Sequence, residues 1–460
     1  MYSIFERSGW WRLVAVHGRI VLPLWLLTGC ASYHAQPLRD HLPAMAKVEQ
    51  AMAAALRHNH PASAHPVNLH APLSGKDLGE IAVLLNPDLR AMRAQIGVAK
   101  AQVFAAGLLP DPQLALSADL PSNVAAGYYN AYSMGLSWSL ASLFTRSADL
   151  HVARARAHSV QYQVAWQEWL VANQARILAR QLYYLQEQEA VSQQAAATTD
   201  QLYRTSVQNL RLGDATITTT ALRQIAWLDS QDRQLALRRQ VTKVRQNLNK
   251  VIGLPPGMHL ALRAPEMLKN FPDAAQLVPL ADSHRLDLLA LRAGYQAQEA
   301  RVRRAILGQY PGFTIGFSRA ADTSNIQTIG PSIHLDIPLW NRNRGVIAES
   351  EATRAQLHAA YTARLFQTRA EITALVADLH RLHQEITPLE QQVPQLQSAE
   401  LRLRSAAAEH NVTLIDYEAV RSQALAKSLQ LLALKQAYAE QQVALEMAVG
   451  LPWQQRGEWR

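Results

Sequence analysis

The chain has one cysteine in 460 residues. That excludes an internal disulfide and any cysteine-rich metal centre. Charged residues make up only 18% of the chain and aromatic residues 7%, so its helices are filled by alanine, leucine and glutamine rather than by ion pairs. The one N-terminal apolar run, Ile20 to Leu27, is far too short to cross a bilayer as a helix. There is no phosphate-binding loop, no metal-ligand spacing and no Ser/His/Asp motif with a fold signal behind it, which makes an enzyme the least supported class and leaves no cofactor to expect. The net charge is +9, but the cations are spread along helices instead of gathered with aromatic residues, so nucleic acid is not an expected partner.

What the chain does have is a repeat. Near residue 110 it reads Gly107-Leu-Leu-Pro-Asp-Pro112, then alternating residues, then Tyr132-Ser-Met-Gly-Leu-Ser-Trp-Ser-Leu140. Near residue 310 it reads Gly308-Gln-Tyr-Pro-Gly-Phe313, alternating residues again, then Ile333-His-Leu-Asp-Ile-Pro-Leu-Trp340. The copies close alike, with Val251-Ile-Gly-Leu-Pro255 and Ala448-Val-Gly-Leu-Pro452. Each is a strand pair set in long helical sequence, a plan foreign to most enzyme folds.

The N-terminal run follows Arg7, Arg12 and Arg19 and leads into Leu27-Thr28-Gly29-Cys30. It fits the core of a secretory signal, and its end resembles the lipobox of bacterial lipoproteins. Residues 1–29 are expected to be a lipoprotein signal peptide and Cys30 the lipidated residue. Residues 30–80 are expected to be a lipidated lead-in. It carries His34, His41, His58, His60, His65 and His70 at irregular spacings without carboxylates, better suited to a plain periplasmic lead-in than to metal capture.

Copy one is assigned to 81–257, a linker with Pro265, Pro272 and Pro279 to 258–281, and copy two to 282–460. In copy one a helix runs from Asn86 to about Ala106 and stops at Gly107 and Pro110. Residues 113–120 and 132–140 alternate as strands around a turn-rich loop. A helix from about Arg146 to Leu212 then shows Leu150, Ala157, Val164, Val171, Leu178 and Leu185 every seventh residue, a coiled-coil seam half-filled by Gln167, Gln174 and Gln181. The chain turns at Leu212-Gly213-Asp214 and returns as a helix from Thr216 to Val251. Copy two has a helix over 287–307, strands over 313–318 and 329–339, and a long helix with Leu365, Ile372, Leu379, Ile386 and Val393 in register. Pro388 and Pro394 are expected to break or kink that helix. Asn411 to Asp416 occupies the place of the Gly213 turn at an offset near 198, and the last helix ends at Gly450. Within a copy, the two shorter helices laid end to end nearly match the long one.

Two strand pairs cannot span lipid alone, because their edges would leave backbone groups unpaired. Three symmetric copies would supply twelve strands and close them. The expected class is therefore mainly α with a small β part: an α-barrel of long coiled-coil helices running into a twelve-stranded transmembrane barrel, four strands per chain. At this point the residues resemble the TolC-type outer-membrane efflux factors over about 80–455. The matching pieces are Cys30, Gly107-Leu-Leu-Pro-Asp-Pro112, both Gly-Leu-Pro closures and Ile337-Pro-Leu-Trp-Asn-Arg-Asn-Arg-Gly345. The last is most similar to the heavy-metal, CzcC-like branch. The resemblance implies a homotrimer in outer-membrane lipid that meets a periplasmic adaptor (membrane fusion) protein and an inner-membrane RND pump, a passive duct whose cargo includes heavy-metal cations. It also places the adaptor-docking tips at Arg211, Leu212, Gly213 and Asp214, and at His410, Asn411, Val412, Thr413 and Leu414. The family commonly has glycine in both tips; here Asn411 stands in that place, tolerating the left-handed conformation. Leu286 departs from the family's usual proline.

Arg404, Asp416, Tyr417 and Glu418 lie near the second tip and are candidates for a pore gate, where threefold symmetry would make rings of them; as single residues they read equally as helix caps or solvated faces. Pro338, Trp340, Asn341, Asn343 and Gly345 form the strand-to-helix rim, with Pro338 ending the strand and Gly345 admitting the helix. Trp138 and Trp340 suit either an aromatic belt or packing at the barrel base. His380 and His383, three apart on a helix, read as a solvated face. Two other classes compete: a periplasmic adaptor, which would carry one hairpin amid β-rich domains, and a structural coiled-coil lipoprotein, which would lack the strand pairs.

Overall fold

The computed structural model describes residues 33–38, 71–122, 128–268, 271–409 and 411–452. The chain divides into Met1–Ala51 and Met52–Arg460. Of the first unit only residues 33–38 are described, without regular structure, and every described helix and strand belongs to the second. Cys30 and the histidines of the lead-in other than His34 lie outside the described residues.

The first helix, α1 (Gly75–Leu85), starts inside the segment expected to be lead-in. Ser74 caps it in a reciprocal box with Asp77. Its apolar positions Leu78, Ile81 and Ala82 are buried with Ala175, Leu182, Val244, Leu248 and Ile252, so packing draws residues 75–80 into copy one. Helix α2 (Pro87–Gly107) follows, with Asn86 as N-cap accepting from the Leu89 amide and Pro87 in its first turn. After β1 (Gln113–Asp119) and β2 (Ala131–Ser139) comes α3 (Ala141–Leu212), 72 residues or about 108 Å of helix. It begins five residues before the expected Arg146. Helix α4 (Ile217–Ile252) returns along it.

Copy two repeats the order. The expected linker contains a helix, α5 (Ala274–His284), with Pro279 inside it. Its Leu277 and Ala281 are fully buried with Ile372, Leu379, Tyr438 and Val449. It is the counterpart of α1, each placed before the joint that starts the next helix. Then come α6 (Leu286–Leu307), β3 (Gly312–Ala321), β4 (Gln327–Asp336), α7 (Arg344–Ala408) and α8 (Leu414–Val449). Helix α7 runs through Pro388 and Pro394 without a break, which leaves a kink as the form of the expected disturbance that continuity allows. Ile386, Leu389 and Val393 beside them are buried in the second core, and that burial outweighs a proline cost of about 3 kcal/mol each.

The end-to-end stacking of shorter helices is visible at two joints. Asn86, at the start of α2, donates from Nδ2 to the Val251 carbonyl in the last turn of α4 (2.8 Å). In copy two Arg285 donates from Nη1 to the Ala448 carbonyl in the last turn of α8 (2.8 Å). Each joint has a left-handed glycine, Gly253 (φ 87°) and Gly450 (φ 80°). A Cβ at Gly253 would lie 2.9 Å from the Leu85 carbonyl, and one at Gly450 would lie 3.1 Å from Arg285 Cγ. That is the physical meaning of the duplicated Gly-Leu-Pro closure.

The strands form one antiparallel sheet in the order β1-β2-β3-β4. Pairing across copies joins β2 to β3, with Leu136 opposite Phe317 and Trp138 opposite Ile315. The outer strands β1 and β4 are the edges, and β4 carries Pro331, a residue suited to an edge strand.

Candidate functional site

The sheet's two faces are chemically opposite. The register puts Leu114 opposite Leu136 and Leu116 opposite Met134, then Leu136 opposite Phe317, then Ile315 opposite Ile333 and Phe313 opposite Leu335. These side chains share one face, because residues two apart along a strand point the same way. Leu116, Leu136, Phe317, Ile329 and Ile333 are all exposed in the single chain. The other face carries Ala115, Ser117, Ser133, Gly135, Ser137, Thr314, Gly316, Ser318 and Ser332, and Ser117 and Ser133 share a hydrogen bond across it (2.8 Å). Apart from Arg319, which lies between Met134 and Ile329, one face is built for an apolar surrounding; the other is small and polar, with His334 and Asp336 at the end of β4.

At the helix end of the sheet, Trp138 is half-buried and donates from Nε1 to the Pro110 carbonyl (2.8 Å), so it packs at the base. Trp340 is 89% exposed. The rim is built differently from expectation. Strand β4 stops at Asp336, before Pro338, and Gly345 sits inside α7. The left-handed residues that turn the chain are Arg342 (φ 45°) and Asn343 (φ 54°), Asn343 being the N-cap of α7. Asparagine bears this conformation better than most residues. Asn343 also donates to the Ala305 carbonyl in the last turn of α6 (2.7 Å), and the Asn341 carbonyl accepts from the Arg344 amide (3.0 Å). In copy one the corresponding helix end is held by Arg146, whose guanidinium donates twice to the Gly107 carbonyl (2.7 and 2.9 Å). The sequence motif marked the rim; it did not show that Asn343 fastens α6.

At the far end, about 100 Å along the helices, Gly213 closes α3 in the left-handed region (φ 83°), and the Asp214 amide returns to the Asn209 carbonyl (2.8 Å). Leu212 and Ile217 beside it are exposed, and Arg211 is the basic residue of the last turn. In the second tip the Asn411 amide returns to Ala406, again five residues back (2.9 Å). Thr216 and Thr413 are the equivalent N-caps, accepting from the Thr219 and Asp416 amides. The offset is therefore 197 residues, and Asn411 corresponds to Asp214, not to Gly213. The residue in the glycine's register is His410, which lies outside the described residues. Asn411 instead donates to the Glu409 carboxylate (3.0 Å); Val412 is half-buried, and Leu414 opens α8.

The gate candidates separate by role. Asp416 accepts from the hydroxyl of Thr413, the N-cap of α8 (2.5 Å), so its carboxylate is engaged in the first turn of the helix. Tyr417 is buried and donates to Glu400 on α7 (3.1 Å); burial, then the Glu400 charge, raises its pKa above the ordinary tyrosine value. Glu418 lies 3.4 Å from Arg223 on α4 and ties the two hairpins together near their tips. Arg404 is exposed. Sequence reasoning missed Arg223, because nothing local marks a partner 195 positions away.

The histidine pair does not converge on a ligand site. His380 lies tilted against Phe271 (4.8 Å between ring centres) and His383 tilted against Tyr438 (6.1 Å). Among the described residues no group of three His, Cys, Asp or Glu is placed to hold a metal ion. A site the sequence did not flag lies at the second joint. Arg285, 1% exposed, makes a two-point ion pair with Asp287 (3.0 Å for each bond) and lies over the Trp166 ring (4.9 Å). Arg364 also binds Asp287 (2.8 Å). Burial pushes the Asp287 carboxyl up, but the hydrogen bonds and charges of Arg285 and Arg364 outweigh it and hold its pKa below the ordinary aspartate value.

No family model matches the chain, and no curated protein matches it. Solved structures do. CusC, studied for its folding and transmembrane channel formation, is 16% identical, with 86% of this chain and 99% of that one covered at a TM-score of 0.67. The outer membrane protein VceC of Vibrio cholerae is 17% identical over 82% of this chain and 96% of that one, at 0.67. The MtrE outer membrane channel of Neisseria gonorrhoeae, in its open state, is 15% identical over 91% and 97%, at 0.68. The chain shares their fold, and the TolC-like architecture expected from its repeats is the one found.

Proposed function

We propose that this chain is the outer-membrane channel component of a tripartite efflux system. It acts as a passive exit duct, assembled as a homotrimer and served by a periplasmic adaptor and an inner-membrane RND pump. The observation that carries this is the four-stranded sheet: exposed apolar side chains on one face, small polar ones on the other, open edges at β1 and β4, and hairpins about 100 Å long running from its base. Three copies pair β1 of one with β4 of the next and leave no edge in lipid. The likeness to outer-membrane channels of the same fold supports this reading.

Finer parts rest on single features. Lipid anchoring at Cys30 rests on the lipobox resemblance. Heavy-metal cations as cargo, and membership of the CzcC-like branch, rest on Ile337 to Gly345. Adaptor docking is assigned to Arg211–Asp214 and Asn411–Leu414. The gate is assigned to the second tip, with Arg404 and Glu418 the charged members, Tyr417 the residue that holds α8 against α7 and Asp416 the one that fixes the Thr413 cap.

The test is direct. Extracted protein is expected to run as a trimer and to conduct ions in a planar bilayer; a monomer without conductance would sink the proposal. A deletion strain made sensitive to drugs and indifferent to metals would remove the metal reading and leave the channel standing.

A further inference from the structure

Among the strand residues of the apolar sheet face, Arg319 is the one charge. On β3 that face carries Phe313, Ile315, Phe317, Arg319 and Ala321, with Met134 of β2 and Ile329 of β4 opposite Arg319. Both flanking strands belong to the same chain, so this setting needs no second copy. Arg319 is exposed, as are Met134, Phe317 and Ile329 around it. A guanidinium is costly in the middle of a lipid-facing wall and nearly free at its border. Arg319 stands at the border. It is the third residue from the loop end of β3, which closes at Ala321. Tyr132 lies diagonally beyond it on β2, opposite Ala321. Tyr128 and Tyr129 are exposed in the next loop, and the Tyr129 amide donates to the Thr323 carbonyl (2.9 Å), tying that loop to the β3–β4 turn. Past the other end of the sheet, Ile337, Leu339 and Trp340 are exposed. An arginine beside tyrosines at the edge of an apolar band is at headgroup level.

The charge is not neutralised within the chain. Arg319 donates from Nη2 to the side-chain oxygen of Gln327 on β4 (3.1 Å), a bond that supplies no negative charge and leaves its other N–H groups free. Among the described residues it forms no ion pair. The acids at this end of the sheet are placed elsewhere. Asp119 ends β1 on the small polar face, opposite Ala131. Asp322 opens the β3–β4 turn, where its Oδ1 accepts from the Ser324 and Ile326 amides (2.9 Å each).

We propose that Arg319 binds the phosphate of an anionic lipid headgroup at the loop-end border of the apolar face, with Gln327 steadying the guanidinium and Tyr132 flanking it. The proposal rests on reading that face as the one that meets lipid. A guanidinium offers parallel N–H bonds that match a phosphate, and such charge-assisted pairs are the strong ones. Met134, Phe317 and Ile329 lie where the acyl chains of the same lipid would pack. This favours a lipid over free phosphate: one exposed arginine holds a small anion weakly, while a lipid adds apolar contacts and is concentrated in the bilayer.

The experiment uses the full chain in nanodiscs of phosphatidylcholine doped with phosphatidic acid, or with diacylglycerol of the same acyl chains as the uncharged control. Native mass spectrometry counts the lipid retained as the doped fraction rises. The parent is expected to retain phosphatidic acid saturably and diacylglycerol not at all. Arg319→Gln is expected to raise the half-saturating fraction about tenfold or more. Arg319→Lys keeps the charge without the paired geometry and should fall between. Arg238→Gln, exposed on α4 away from the sheet, should match the parent. Inorganic phosphate, at ionic strength fixed with chloride, should not displace the lipid; displacement would reassign the site to a free anion and overturn the lipid proposal. Equal retention by Arg319→Gln and the parent, or diacylglycerol held as well as phosphatidic acid, also overturns it. If parent and variant both enter the bilayer normally, that failure leaves the channel reading standing. A parent that does not enter a bilayer at all removes both.

Discussion

Single residues decide the joints and the turns. Arg285 is buried with Asp287, and removing the arginine leaves that carboxylate to Arg364 alone and the Ala448 carbonyl without its donor. Arg285→Ala is expected to destabilise the protein by about 3–5 kcal/mol, read by denaturant unfolding. Asp287 adds a pH signature. Its folded-state pKa is depressed, so its contribution is present above the ordinary aspartate value and is lost as pH falls through the lower folded value. Acid unfolding of the parent should therefore show this loss below about pH 4, and Asp287→Asn should flatten it. Gly213 is a different case. Its left-handed φ forbids a β-branched side chain at low cost, while nothing lies within 4 Å of a Cβ there. Gly213→Val should strain the tip by about 1–2 kcal/mol and leave both cores intact. On the proposed function it should reduce adaptor crosslinking more than trimer yield; trimer yield falling first would move the docking site elsewhere.

Elements were legible in the sequence where their order is periodic. The seven-residue seam of α7 predicted Leu365, Ile372, Leu379, Ile386 and Val393; the last four are buried and Leu365 is half-buried. The alternation of the strands predicted all four, with ends shifted by one to three residues at most of their termini. Where the period is weak, the sequence misled. Helices α1 and α5 are eleven residues each and lie in stretches that composition marks as leader and linker; only their contact with the cores makes them helices worth having. Two outcomes belong to this scale. Leu379→Ala, at a fully buried seam position, should cost about 2–5 kcal/mol by thermal or chemical unfolding. Leu136→Arg, in the middle of the apolar sheet face, should cost about 2–4 kcal/mol and lower membrane insertion if that face meets lipid; normal insertion would place the lipid on the other face.

The whole molecule is two copies of one unit, joined at the sheet by β2 and β3 and along the helices by α3. Arg180 and Trp169 on α3 donate to carbonyls of α8, at Ala439 (2.5 Å) and Met447 (3.2 Å). The copies are not equivalent. One joint is held by a neutral asparagine, the other by a buried ionic cluster. One tip turns on glycine, while the register of the other puts His410 in that place. A trimer of such chains has alternating joints and tips, and low pH should loosen the joints held by Arg285 before those held by Asn86. Hydrogen exchange at the C-terminal turns of α8 and α4 measures this, and equal protection loss in both would count against it.

The sequence by itself determined the duplication, the two seams, the strand pairs and the glycine closures, because each is a pattern within a few turns of one element. Only the tertiary structure decided what those elements touch. Asn343 reaches Ala305, Arg285 reaches Ala448, and Glu418 approaches Arg223 across separations of 38, 163 and 195 positions. No local period encodes a partner at that distance. The facing of the sheet needed both: alternation gave each strand two faces, and the register between strands made one of them an apolar wall broken by Arg319.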